Sequence, residues 1–191
     1  KINMTNGFRE GRATAVKEAY RMNVSNNGKY YLVSEIEGGV FVIDAENNEV
    51  VQKILPESKK MGLYVITTPD ERYCLAGEIK TLSVSTFEPG VGDATRKSKV
   101  LFKTKPPFGE LRRRSFSPDS KYVVALVGPD FGIICFDVLT GAVKWSVKSS
   151  TSFDDFGYTA DGKNIIVLHE GLIETYSLET GAKVGLTTKL P

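Results

Sequence analysis

The 191-residue chain is poor in the side chains on which most metal and nucleophilic chemistry depends. It has one histidine, His169, so a site built from several histidines is excluded. It has two cysteines, Cys74 and Cys135, each inside an apolar run and 61 positions apart; they are expected to be buried, reduced thiols, not a disulfide framework. The formal charge is only +2, too small to draw the chain to nucleic acid or an anionic membrane without local clustering. No apolar stretch approaches the roughly 20 residues that span a bilayer, and the first residues carry no apolar signal-peptide core. Nor is there a P-loop, a dinucleotide fingerprint or a Gly-x-Ser-x-Gly elbow. Apolar residues make up 41% and charged residues 25%, an ordinary balance for a globular protein, which argues against disorder. The expectation is a globular protein of the cytoplasm without membrane contact.

What the chain has instead is repetition. "VSNNGKYYLV", "TTPDERYCLA", "FSPDSKYVVAL" and "YTADGKNIIVL" each join a polar turn to an apolar run, and their basic residues Lys29, Arg72, Lys121 and Lys163 lie 43, 49 and 42 positions apart. An interval of roughly 40 to 50 residues is the length of one four-stranded propeller blade. The intervening runs are rich in Val, Ile, Tyr and Phe and are punctuated by Asn, Asp, Pro and Gly, which reads as strands and turns. A second turn recurs at Asn47-Asn48, Thr140-Gly141 and Thr180-Gly181, residue types that tolerate the positive φ of a tight hairpin. The fold expected is therefore all-β: four-stranded antiparallel meanders over 19–54, 62–105, 110–150 and 153–188, all in one propeller domain. The second carries a hairpin insertion, "FEPGVGDATRKSKV", that accounts for the longer interval. Residues 1–18 read as strand, turn and strand, the second half of a preceding blade. A short helix over 12–20 competes with it, because "ATAVKEAY" has adequate helix propensity. The C-terminal "KVGLTTKLP" reads as a fourth strand. About four and a half blades are thus expected, part of a larger ring completed by missing parent sequence or by another chain, since an open sheet edge invites association.

Phe116-Ser117-Pro118-Asp119-Ser120-Lys121, with Asp137 before Thr140-Gly141, resembles the blade punctuation of the WD-repeat β-propellers and their degenerate relatives. The resemblance runs along nearly the whole chain, although the family's Gly-His and Trp-Asp pairs are absent. It implies a rigid, non-enzymatic platform for complex assembly, binding a protein partner with no cofactor. In that family the contacts come from the starts of the innermost strands. Counting back from each turn places Tyr20 and Arg21, Leu63 and Tyr64, Arg112 and Arg113, and Asp154 and Asp155 there. Tyr and Arg are enriched at binding hot spots, and Tyr20, Arg21, Tyr64, Arg112, Arg113 and Asp154 are the candidate partner-binding residues.

Two other readings compete. The basic run from Arg96 to Arg114, led by Arg96, Lys97 and Lys99, is a candidate anion-binding segment, but its aromatic interleaving is too thin to favour nucleic acid. "DVLTGAVKW" is similar to the docking motif of pyrroloquinoline-quinone propellers, which suggests a piece of a propeller enzyme whose catalytic residues lie elsewhere. It occurs once and ends in the only tryptophan, Trp145, for which filling a gap between blades is the simpler role. His169 follows "IIVL" at a strand end, where an exposed or capping place is expected.

Overall fold

The computed structural model describes residues 19–35, 39–54, 64–77, 81–90, 100–104, 110–128, 132–149 and 153–189, and among these there is no helix. Among the described residues sixteen strands form four antiparallel sheets. The first sheet runs β1 (Ala19–Val24), β2 (Tyr30–Glu35), β3 (Gly39–Asp44), β4 (Val50–Ile54); the second β5 (Tyr64–Thr67), β6 (Tyr73–Gly77), β7 (Leu82–Thr86), β8 (Val100–Thr104). The third is β9 (Glu110–Phe116), β10 (Tyr122–Gly128), β11 (Ile133–Asp137), β12 (Val143–Val147), and the fourth β13 (Asp155–Tyr158), β14 (Asn164–His169), β15 (Leu172–Ser177), β16 (Thr188–Lys189). In every sheet the spatial order follows the sequence, so each is a meander. The chain divides at residue 104 into two compact units, one holding the first two sheets and the other the last two.

The turn between first and second strands is built the same way four times. A hydroxyl at Ser25, Thr68, Ser117 or Thr159 accepts the backbone N–H of the residue five positions on, at 3.0, 3.1, 2.9 and 3.1 Å. Two residues after the hydroxyl, Asn27, Asp70, Asp119 or Asp161 accepts the N–H of the basic residue, at 2.8, 3.2, 3.2 and 3.0 Å. The residue between carries positive φ: Gly28 at 75°, Glu71 at 57°, Ser120 at 63° and Gly162 at 69°. These side chains replace the hydrogen bonds that the ladder cannot supply at a turn. The Thr159 hydroxyl and the Lys163 N–H hold the Asp161 carboxyl below its ordinary range.

The second turn is also capped from a side chain. Asp44 accepts from the N–H groups of Glu46 and Asn47, Asp137 from those of Leu139 and Thr140, and Ser177 from that of Thr180. Positive φ falls at Asn48, Gly141 and Gly181, at 60°, 70° and 70°.

With both turns fixed, alternate residues face opposite sides of each sheet. In the second unit Val124, Ile133 and Cys135 of the third sheet pack on Phe156, Ile165 and Leu178 of the fourth. In the first unit Leu32, Val40 and Val42 of the first sheet pack on Val65, Cys74 and Phe87 of the second. Matched by strand pairing, with Leu32 opposite Val42 and Val124 opposite Cys135, and by the bonds from the Phe87 and Leu178 N–H groups back to the Arg72 and Lys163 carbonyls, the two sets correspond residue for residue. We call the side a sheet turns toward its successor its forward face and the other its rear face. The joints also share a polar seam: Gln52 Nε2 donates to the Thr86 carbonyl at 3.5 Å, and Trp145, at the equivalent place on its strand, donates through Nε1 to the carbonyl of Leu178, one position further along than the equivalent of Thr86, at 2.8 Å.

Three expectations are corrected. Ala19 and Tyr20 belong to a strand, so a helix does not reach residue 20; residues 1–18 lie outside the described residues. The fourth strand expected in "KVGLTTKLP" is reduced to Thr188–Lys189 and an isolated bridge from Lys183 to Tyr176, because positive φ at Gly185 breaks the ladder between them. His169 is neither exposed nor a cap: β14 continues through it, the turn falls on Glu170 and Gly171 with φ 47° and 74°, and alternation puts it on the buried side with Ile165 and Val167.

Replacing Ser117 with Ala strands the Tyr122 N–H and is expected to cost about 1 kcal/mol in chemical denaturation, whereas Lys121→Ala, which alters only an exposed side chain, is expected to stay within about 0.5 kcal/mol of the parent. At Gly181, φ is 70° and an added Cβ would stand 2.7 Å from Cδ2 of the Trp145 indole. Gly181→Ala is therefore expected to cost more than about 1 kcal/mol by the same measurement.

Candidate functional site

The starts of the first strands are where the repeats differ most. Tyr20 and Arg21 are exposed on β1, with the Arg21 guanidinium 5.4 Å from the Tyr20 ring centroid. Tyr64 opens β5 half-buried, opposite Gly77. Arg112 and Arg113 are exposed near the start of β9, and Asp154 and Asp155 stand at the start of β13. Leu63, Arg96, Lys97 and Lys99 lie outside the described residues.

Two of these four places carry a β-bulge. Ala19 pairs with Glu35 and Arg21 with Ser34, which leaves Tyr20 without an opposite number. Leu111 pairs with Val127 and Arg114 with Ala125, so Arg112 and Arg113 together oppose Leu126 alone. An extra residue on one strand re-aims its side chain away from the ladder. The Arg112 side chain lies across Gly128, where a Cβ would come within 2.4 Å of its Nε. The absence of a side chain at position 128 leaves the path that Arg112 follows.

Within the second unit these residues meet. Arg113 Nη1 donates to Asp155 Oδ2 at 2.8 Å and also lies 2.7 Å from Oδ1, a bridge between equivalent positions of successive sheets. Both partners are about half exposed, so the pair fixes geometry more than it adds stability. Asp154 accepts the Glu170 N–H at 3.2 Å and is thereby tied to the turn between β14 and β15. In the first unit the corresponding seam is amide-based: Asn23 donates to the Val65 carbonyl at 3.1 Å, and Asn26 donates to the carbonyls of Thr67 and Thr68, both at 3.0 Å.

A second polar centre is buried in the fourth sheet. Glu174 Oε2 accepts from the Tyr176 hydroxyl at 2.5 Å and lies 3.1 Å from His169 Nε2, while Oε1 accepts from Thr187 Oγ1 at 3.2 Å and from the Lys183 ammonium. Lys183 also donates to Thr187 at 2.7 Å. The Phe153 ring meets His169 edge-on, its centroid 5.1 Å away. Lys183 first and Tyr176 second hold the Glu174 carboxyl down at about 2, while burial and the neighbouring carboxylate raise the Tyr176 phenol. Lys183 and Thr187 belong to the exposed C-terminal segment, so this cluster fastens that segment to β15 where strand pairing is short. Sequence reasoning passed over it, yet period-2 counting across the turn at Glu170-Gly171 puts His169, Glu174 and Tyr176 on one face.

Both thiols are free and buried, and burial pushes each up to about 12. At neutral pH neither offers a thiolate. Among the described residues no three His, Cys, Asp or Glu side chains gather as a metal would require. Among them, too, no helix is long and apolar enough to cross a membrane. Trp145 is taken up by the joint between the third and fourth sheets, packed on Gly181 with its N–H committed to Leu178.

The fold is thus that of an all-β repeat protein made of four-stranded antiparallel meanders. No protein-family model matches the chain, and no curated protein matches it.

Glu174 has its carboxyl lowered in the folded protein, so its contribution is present above the ordinary carboxylate value near 4.5 and is lost as pH falls toward about 2. Thermal midpoints measured from pH 6 to about pH 2 are expected to fall more steeply for the parent than for Glu174→Gln, with the two curves converging at the acid end.

Proposed function

We propose that the chain is an arc of a β-propeller of the WD-repeat-like kind. It serves as a non-enzymatic scaffold in which Tyr20, Arg21, Tyr64, Arg112, Arg113 and Asp154 receive a protein partner. The ring is completed by further sheets. The observation that carries the reading is the contrast within the repeat: two equivalent sheet joints built on matching residues, and bulged, exposed, chemically varied side chains at one recurring position beside them. A frame held constant while one edge varies is what recognition of a specific partner needs. Arg and Tyr at that edge combine large contact area with directional hydrogen bonding. The buried, free thiols favour a reducing compartment, and we place the protein in the cytoplasm.

Substituting Tyr20, Tyr64, Arg112 and Arg113 together with Ala is expected to abolish capture of the partner from a cell lysate, read by affinity capture and mass spectrometry. The thermal midpoint should stay close to that of the parent. Retained capture by the folded variant would overturn the assignment of the rim.

A further inference from the structure

Two arginines stand side by side near the start of β9, and their surroundings differ. Arg113 is committed, with both carboxylate oxygens of Asp155 within 2.8 Å of its Nη1. Arg112 is exposed, and among the described residues nothing accepts a hydrogen bond from its guanidinium or pairs with its charge. Its N–H fork is turned to solvent beside a cation that is already neutralised.

An exposed arginine is ordinarily free to wander, but the path of Arg112 is reserved for it. Gly128, at the end of β10, does not adopt positive φ, so its backbone conformation is open to any residue. Counted from the turn base, its counterparts in the other repeats are Ile36, Ile79 and Glu170, so the repeat does not call for glycine either. Space does. An added Cβ would stand 2.4 Å from Arg112 Nε and 3.0 Å from both Cδ and Cζ. The bulge contributes too, setting Arg112 and Arg113 together against Leu126, which is buried on the forward face of the third sheet while both arginines stay exposed. A guanidinium laid over bare backbone loses less side-chain freedom when an anion arrives than one extending from a turn. Its planar fork matches the two oxygens of a carboxylate or a phosphate.

We propose that Arg112, steered by Gly128, seats an acidic side chain of the protein partner, an Asp or Glu carboxylate or a phosphorylated residue, held through two of its oxygens. The proposal rests on reading this edge as the partner-binding rim, and it gives that rim a polarity: the partner presents an oxyanion here. Gly128 is a positioning residue, acting only through the side chain for which it leaves room.

Fluorescence anisotropy of labelled, capped peptides with the full chain supplies the test. One peptide alternates Asp and Gly, a second carries phosphoserine in place of each Asp, and a third carries Asn. At least one acidic peptide is expected to bind saturably and the Asn peptide not, and the tighter acidic peptide identifies the group. Binding should weaken as salt rises. Arg112→Ala is expected to lower affinity about tenfold. Gly128→Ala should lower it similarly while strand content and thermal midpoint stay near the parent's, because the atoms its Cβ displaces belong to a long side chain and not to backbone. A glycine of purely structural importance would lower the midpoint and leave affinity alone. Lys121→Ala, which removes the same charge at a turn, should leave affinity unchanged.

Saturable binding by neither acidic peptide overturns the proposal. So does a folded Arg112→Ala or Gly128→Ala variant that binds like the parent, or a loss on Lys121→Ala as large as that on Arg112→Ala. If Gly128→Ala does not fold, the Arg112 Nε–H resonance of the parent, identified by its absence from Arg112→Lys, takes its place. That resonance should shift as the peptide is added, and a resonance that stays put overturns the seat. The rim is judged separately. Lysate capture that the four-residue variant loses, with no acidic peptide bound, keeps the rim and removes the seat; peptide binding with capture retained in that variant does the reverse.

Discussion

The register of each sheet depends on one small arrangement: a Ser or Thr hydroxyl that takes the N–H five residues ahead, with an Asn or Asp two residues after it that takes the N–H of the basic residue. Strands have a side-chain period of two, so a slip of one residue would turn every apolar side chain to the wrong face. The turn prevents this by fixing which residue begins the second strand. From that point Val124 and Leu126 face one way and Val123 and Ala125 the other, and each side of β10 is apolar because each is buried. Within each unit one such face is shared by its two sheets, and its integrity depends on hydrogen bonds made at the periphery.

This explains what was legible in the sequence. The turns could be read because their chemistry is local: Asn48, Gly141 and Gly181 do adopt positive φ where a tight turn was expected, and the run after Phe116 is a buried strand. The meanders followed from the spacing of those turns. What could not be read were the features set by pairing between strands. The bulges at Tyr20 and at Arg112-Arg113 arise because two strands carry different numbers of residues between the same hydrogen bonds, which no single strand reveals. His169 was misplaced because the end of a strand was taken to be exposed, whereas alternation turns this last strand residue to the buried side. The Glu174 cluster escaped because its members come from two strands and a C-terminal segment whose pairing fails at Gly185.

The same logic separates a structural polar centre from a recognition surface. Glu174 and its partners are mutually satisfied, aimed inward and shielded by Phe153, an arrangement that holds a segment in place and leaves little hydrogen-bonding capacity to a ligand. Arg112, Arg113 and Asp154 are aimed outward at a sheet edge, and the contacts that orient them leave donors and acceptors facing solvent. Burial gives the first its stiffness. Exposure gives the second its capacity to discriminate among partners.

The bulges have a consequence for how such a chain can vary. Between the bulge and the turn the ladder is counted from the Ser or Thr hydroxyl, so a residue gained or lost before the bulge leaves the phase of everything after it untouched. Length can thus drift at the rim of the first and third sheets without any apolar residue changing sides. The bulge works as an expansion joint, decoupling the segment that meets other molecules from the segment that holds the sheets together.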